Sequence, residues 1–257
     1  MKLEGEQTLL RIYLRNTDKH GWFSPPAADQ LVQRARKEGL AGATVLRGIF
    51  GLDVRGNLLE SSAWSLVEHV PVIVEIVDAP QNVGRFIAVV AETVLEGLAT
   101  LERAHVLLYR HGEKSATAAA ARLTVPGAIT PLSTLPSPEE FPAMKASENG
   151  QLLRVFIGES DRWEDGPLYR AIVLKARELG LAGATVLRGP MGYGQSSHLH
   201  TAKIIQLSDD LPLIIEIVDS QASIDAFLVD LDGLMADASG LVTLEKVQVL
   251  QYGRKGG

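Results

Sequence analysis

The sequence predicts an α+β protein, a ferredoxin-like βαββαβ sandwich duplicated in tandem. Three observations predict it. GLAGATVLRG stands at Gly39–Gly48 and again, unchanged, at Gly180–Gly189. Each copy runs strand, helix, strand, strand, helix, strand, the split-βαβ order. The longest strand candidate of each copy is apolar on both faces, so a second sheet must cover the face its own helices leave bare.

The elements of the second copy follow from period and punctuation. LLRVFIG is apolar, β-branched and closed by glycine, a strand signature. GPLYRAIVLKARELG sets Leu168, Ile172, Ala176 and Leu179 on one helical stripe, with Pro167 at the first helical position and Gly180 as the stop. GATVLRG and TAKIIQLS are short strands around a glycine-rich loop. LPLIIEIVD is the long strand, with only Glu216 breaking its apolar run. SQASIDAFLVDLDGLMADASG places Ile224, Phe227, Leu228, Leu231 and Met235 on one face, with Ser220 or Ser223 as N-cap. VTLEKVQVLQY closes the unit. The first copy repeats the plan, its second helix built on Val83, Phe86, Val90 and Val94.

The separation that aligns the decapeptides also aligns PVIVEIVD (71–78) with PLIIEIVD (212–219). LLRIYL (9–14) meets LLRVFI (152–157) and TLERAHVLLY (100–109) meets TLEKVQVLQY (243–252) at a spacing two residues longer. The expected organisation is copy one over 9–110, a linker over 111–151 carrying prolines 126, 131, 136, 138 and 142, and copy two over 152–253.

Composition narrows the function. A net charge of −6 and a pI near 5.6 argue against a nucleic-acid partner. The absence of cysteine excludes disulfides and thiolate metal sites. MKLEGEQTLLRIYL has no signal-peptide pattern and no apolar run reaches membrane-span length, so a cytoplasmic protein without a membrane span is expected. No P-loop or paired catalytic carboxylates occur, and Ser196, Ser197 and His200 lack an oriented acid, so no catalytic residue and no enzyme is expected. His198 and His200 alternate along an extended segment, but two ligands do not complete a metal site and none is expected. Glu75 and Glu216, each mid-strand among apolar neighbours, either line a solvated centre where sheets meet or pair with an Arg or Lys.

The run Gly-x-x-Gly-x-Thr-Val (180–186), the GYG turn (192–194) and the strand leading to LPLIIEIVD resemble the PII signalling proteins. More specifically, LLRVFIGESD, ATVLRGPMGYGQSSHLHTAKIIQLSDDLPLIIEIVD and TLEKVQVLQY resemble the PII-like family catalogued as domain of unknown function 190. The resemblance spans copy two; copy one matches in framework only. PII proteins are ferredoxin-like trimers that bind ATP or ADP in clefts between subunits and present a loop to partner proteins. The resemblance therefore implies a regulatory protein, a homo-oligomer with a trimer favoured, a nucleotide as ligand and no other cofactor, and a protein partner met through the 190–203 loop. Its ligand-binding residues would be Arg188, Gly189, Gly192, Tyr193, Gly194, Ser196, Ser197, His200 and Lys203.

Two features qualify the comparison. In copy one, Gly194, Ser196, His200, Thr201 and Lys203 are replaced by Asp53, Arg55, Leu59, Glu60 and Ser62, so the glycine and hydroxyl chemistry suited to phosphate is lost there. Where PII proteins carry glycines and basic residues that grip phosphates, this chain reads ASGLVTLEKVQ and EGLATLERAHV, and only Lys246 and Arg103 offer positive charge. Arg188 (with Arg47 in copy one) is either an anion clamp or a structural ion pair with a neighbouring acid such as Glu216 or Asp219. The alternative function is a structural or metal-binding ferredoxin-like trimer without nucleotide.

Overall fold

The computed structural model describes residues 5–19, 24–60, 69–106, 147–189, 191–193, 199–203, 206–207, 211–236, 238 and 240–252. The first repeat comprises β1 (Gly5–Arg15), α1 (Ala27–Lys37), β2 (Thr44–Leu52), β3 (Leu58–Glu60), β4 (Pro71–Asp78), α2 (Pro80–Thr93) and β5 (Gly97–Val106). The second comprises β6 (Ser147–Gly158), β7 (Arg162–Trp163), β8 (Gly166–Pro167), α3 (Leu168–Glu178), β9 (Ala184–Arg188), β10 (Met191–Tyr193), β11 (Leu199–Lys203), β12 (Gln206–Leu207), β13 (Pro212–Asp219), α4 (Gln221–Leu234) and β14 (Leu241–Tyr252). β6 begins at Ser147, so the end of the expected linker is strand.

The repeated decapeptide is a helix stop joined to a strand start. Gly39 and Gly180 take φ of 74° and 72°, the left-handed turn that ends α1 and α3 and that a Cβ disfavours. The Asp78 carboxylate then accepts from the Ala41 amide at 2.6 Å, and Asp219 from the Ala182 amide at 2.7 Å. Both repeats thus pin the same backbone turn against the end of their long strand. Pro167 is the N-cap of α3, one residue before its expected place. Ser220 caps α4, its side chain accepting from the Ser223 amide at 3.2 Å.

Each repeat has the ferredoxin-like strand order, β2-β4-β1-β5 and β9-β13-β6-β14, entirely antiparallel. The expected cover for each bare sheet face comes from the other repeat, through closure of the two sheets into a barrel. The two sheets join edge to edge, β5 to β14 and β2 to β9, into one nine-stranded sheet, with β3 appended to β2, that closes on itself as a barrel. Backbone groups at all four sheet edges find partners this way, which face-to-face stacking would leave open. The inner faces of the two repeats cover each other within one chain.

Strand alternation sorts the side chains. Leu10, Ile12, Val74 and Ile76 face α1 and α2 in the first core, and Leu153, Val155, Ile215 and Ile217 face α3 and α4 in the second. The alternate residues point into the barrel. Leu98, Leu152, Val218, Val247 and Val249 pack there as an apolar layer, with Tyr13 against them. Beside it lies a layer of charge.

Candidate functional site

The barrel interior holds residues that the repeat places twice: Arg11 and Arg154, Glu75 and Glu216, Glu102 and Glu245. Arg11 Nε donates to Glu75 Oε1 at 2.7 Å, while its Nη1 lies 3.5 Å from both Glu102 and Glu216. Arg154 Nε donates to Glu216 Oε1 at 2.8 Å and its Nη1 to Glu245. The Tyr13 hydroxyl donates to Glu216 Oε2 at 3.3 Å. Glu216 therefore ties the two repeats together. Glu75 and Glu216 pair with arginines, one of the two arrangements expected of them.

Four carboxyls share two guanidiniums, and burial works on Arg11, Glu102, Glu216 and Glu245. It pushes the Glu102 carboxyl up to about 7; Arg11 pulls it back, and Glu245 and Glu216 add to the rise. Burial also raises Glu216 against the pull of Arg11 and the Tyr13 hydrogen bond, and raises Glu245 against Arg11. Burial lifts the Tyr13 phenol well above its usual range, with Glu216 adding. Burial opposes the Arg11 charge, but Glu216 and Glu102 outweigh it, so the guanidinium stays ionised. Arg11, Arg154, Glu102 and Glu245 were not foreseen as a cluster. Their signal was a charge at matching positions of LLRIYL and LLRVFI, and of TLER and TLEK.

The loop regions of the two repeats are used differently. In copy one β2 runs on past its own sheet to pair with β9, shifting register between Gly48 and Phe50. A Cβ on Gly51 would lie 2.5 Å from the Ala184 carbonyl oxygen, and one on Gly48 2.6 Å from the Pro71 side chain. Phe50, Leu52 and Leu58 then pack into the core of the second repeat. Phe50 meets Tyr169 edge-on at 5.9 Å and sits 4.9 Å beneath the Arg170 guanidinium, which also pairs with Glu60 at 2.6 Å. Asp53 fixes the turn, accepting from the Arg55 and Asn57 amides at 2.9 Å each, and faces Arg15 at 3.4 Å. Arg15 and Arg55 both reach Glu96. Asp53, Arg55, Leu59 and Glu60, the substitutions that erase phosphate chemistry, are thus the residues that build a docked arm; Ser62 lies outside the described residues.

In copy two, Arg188 pairs with Glu159, not with Glu216 or Asp219. Alternation decides this: Arg188 stands opposite Leu213 on the helix face, whereas Glu216 stands opposite Thr185 inside the barrel. Asp219 is engaged with Ala182 and with the Ser220 amide. The Gly189 amide donates to the Pro212 carbonyl at 2.8 Å. Gly192 and Tyr193 lie in β10, opposite His200 and Leu199 of β11, and Lys203 pairs with Gln206 of β12. Gly194, Ser196, Ser197 and His198 lie outside the described residues. Arg103 and Lys246 lie in β5 and β14, and Arg103 stands 3.6 Å from Glu6.

Between the repeats a cavity of about 50 Å³ is lined by Tyr13, Arg15, Leu52, Leu98, Thr185 and Glu216, among others. No helix among the described residues is long and apolar enough to cross a membrane.

Fold and interior define a single-chain α/β barrel made of two fused ferredoxin-like repeats. The family model DUF190, described as "Uncharacterized ACR, COG1993", matches residues 7–106 and again 150–249. The chain belongs to this family and carries its domain twice. A UPF0166 protein of Aquifex aeolicus is 39% identical over 100 residues, covering 39% of this chain and 92% of that protein. A UPF0166 protein of Methanocaldococcus jannaschii is 34% identical over 99 residues, covering 38% and 89%. Among solved structures, CPII, a nitrogen regulatory PII-like protein from Thiomonas intermedia K12 bound to ADP, AMP and bicarbonate, is 14% identical. It covers 41% of this chain and 92% of its own, with a TM-score of 0.34.

Proposed function

We propose that the protein is a non-enzymatic, PII-like regulatory protein that binds a small anionic ligand, a nucleotide, at the second repeat and presents its 190–203 loop to a protein partner. The observation that carries this reading is the division of labour between the hairpins. Every described position at which copy one departs from the loop chemistry is taken up in structure: Asp53 in its turn and with Arg15, Arg55 with Glu96, Leu59 in burial, Glu60 with Arg170. Copy two keeps Gly192, Gly194, Ser196 and Ser197 in sequence. The roughly 50 Å³ cavity between the repeats is far below the ~300 Å³ or more of small-molecule sites. Larger hollows of about 950 and 310 Å³ lie around Arg15 and the hairpin of the first repeat, where the phosphate chemistry is lost. The reading puts the ligand instead at the outer end of β9, at Arg188, Gly189 and the loop that follows, on the loop composition that copy two keeps. Because the two repeats cover each other's inner faces, a trimer is not needed for that purpose; it rests on the family resemblance, and light scattering on the purified chain tests it.

Thermal unfolding of the full chain against ATP, ADP, AMP, cyclic dinucleotides and divalent cations tests the reading. A specific ligand at ~100 times its Kd stabilises by about 2.7 kcal/mol. The expected result is stabilisation by an adenine nucleotide that Gly194→Asp and Arg188→Ala abolish or weaken. No response to any nucleotide, or a response untouched by Gly194→Asp, overturns it. Stabilisation by a divalent cation alone, lost in His200→Ala, would instead favour a metal-binding structural role.

A further inference from the structure

The interior charge cluster ends at a fork in the barrel wall. β5 and β14 are paired only from Gly97 to Leu101 against Gln248 to Tyr252. Beyond Leu101 and Gln248 the ladder stops, and β14 continues from Val247 back to Leu241 on β6. Extending the register would set Glu102 opposite Val247 and Ala104 opposite Glu245, making the two carboxyls diagonal neighbours on the inner face. Glu102 is buried, at 7% exposure, while Leu241, Val242 and Leu244 on the parted limb of β14 are exposed.

The groups facing this pair come from every strand around it. Arg11 and Tyr13 stand on β1, Glu75 on β4, Thr100 on β5, Arg154 on β6, Glu216 on β13 and Thr243 on β14. Arg11 is already divided among Glu75, Glu102 and Glu216, and Arg154 between Glu216 and Glu245. With every carboxyl ionised, the four exceed the two guanidiniums and like charges meet at the fork. A shared proton removes that conflict and turns the pair into a hydrogen bond across it.

We propose that Glu102 and Glu245 form a proton-operated latch on the seam between the two repeats. Holding a proton, the pair bridges β5 to β14 and keeps the fork short. Without it, the two charges repel, the ladder frays from Leu101 and Gln248 toward Gly97 and Tyr252, and the barrel interior opens on that side. The raised proton affinity of Glu102, near 7, sets the range in which the latch works. The apolar layer of Leu98, Leu152, Val218, Val247 and Val249 limits how far the fraying runs.

Hydrogen exchange with mass spectrometry on the full chain tests this, following peptides over 97–106 and 241–252 with β13 as reference, between about pH 5.5 and about pH 8.5 and corrected for intrinsic exchange. The two seam peptides are expected to lose protection by roughly tenfold or more as pH rises, a factor of ten being one pKa unit, while β13 holds. Glu102→Gln, isosteric and uncharged, is expected to keep the seam protected throughout, and Glu245→Gln to do the same independently should the first variant fail to fold. Seam protection that is flat with pH in the natural chain, or that falls equally in a folded Gln variant, overturns the proposal.

Discussion

Truncating Phe50 to alanine separates a docked arm from a loosely lying one. The side chain is 2% exposed, in the core of the second repeat although it belongs to the first. Phe→Ala at a core site costs ~3–5 kcal/mol. Within that, the edge-on contact with Tyr169 contributes ~0.5–1.5 kcal/mol and the Arg170 guanidinium ~0.5–1 kcal/mol. The arm is tethered at both ends and can relax, so we expect the low end, ~3 kcal/mol. Urea denaturation followed by circular dichroism measures it, and at ~2–4 °C per kcal/mol for a chain of this size the melting midpoint should fall by roughly 6–12 °C. Phe50→Leu keeps most of the burial and loses the ring contacts, so it should lose only ~1–1.5 kcal/mol. A double-mutant cycle with Arg170→Met isolates the guanidinium–ring coupling, expected at ~0.5–1 kcal/mol. Phe50→Ala within ~1 kcal/mol of the natural chain would refute the reasoning, because no buried phenylalanine in a shared core is lost so cheaply.

Two further predictions follow from the closure and the interior. Gly51→Ala drives a Cβ to 2.5 Å from the Ala184 carbonyl oxygen, so the β2–β9 seam must part; a loss of ~1–3 kcal/mol in urea is expected, and an unchanged midpoint would contradict the pairing. Glu102 has its folded-state affinity raised from 4.5 to about 7, so between those values the folded chain holds a proton the unfolded chain has released. Stability should therefore fall as pH rises from about 4.5 to about 7, by up to ~3 kcal/mol from this group, and Glu102→Gln should flatten that slope. A slope of opposite sign in the natural chain that Glu102→Gln leaves unchanged would refute it.

Much of the architecture was legible because the repeat supplies its own alignment. The matched spacing of LLRIYL with LLRVFI and of PVIVEIVD with PLIIEIVD fixed two copies of one strand order, and the apolar inner faces around Glu75 and Glu216 required cover. The manner of covering was not legible. Edge-to-edge closure is made by backbone hydrogen bonds, which leave little trace in side-chain pattern; the traces here are Gly48 and Gly51, whose missing Cβ atoms let β2 approach β9. The pairing of Arg188 with Glu159 needed the register of β9 on β13, since only that puts Arg188 and Glu216 on opposite faces. The changed hairpin of copy one was legible as a loss of phosphate chemistry. Its gain, Phe50 under Arg170 and Asp53 beside Arg15, joins residues remote in sequence and emerges only from the fold.

The two seams that close the barrel are built to different strengths, and the duplication makes that difference available. The β2–β9 seam has a glycine-lined close approach, an arm buried in the opposite core and an ion pair from Glu60 to Arg170. The β5–β14 seam has a five-residue ladder over an apolar layer and then two carboxyls short of counter-charge. In a dimer of identical subunits, a change that turned one hairpin into an arm would turn both. In a fused chain Phe50, Asp53 and Glu60 can serve as a clasp while the corresponding positions of copy two, including Gly194 and Thr201, keep a different composition. Opening free energies follow local packing and hydrogen bonding, so relative motion of the repeats should pivot on the clasped seam and part at the other.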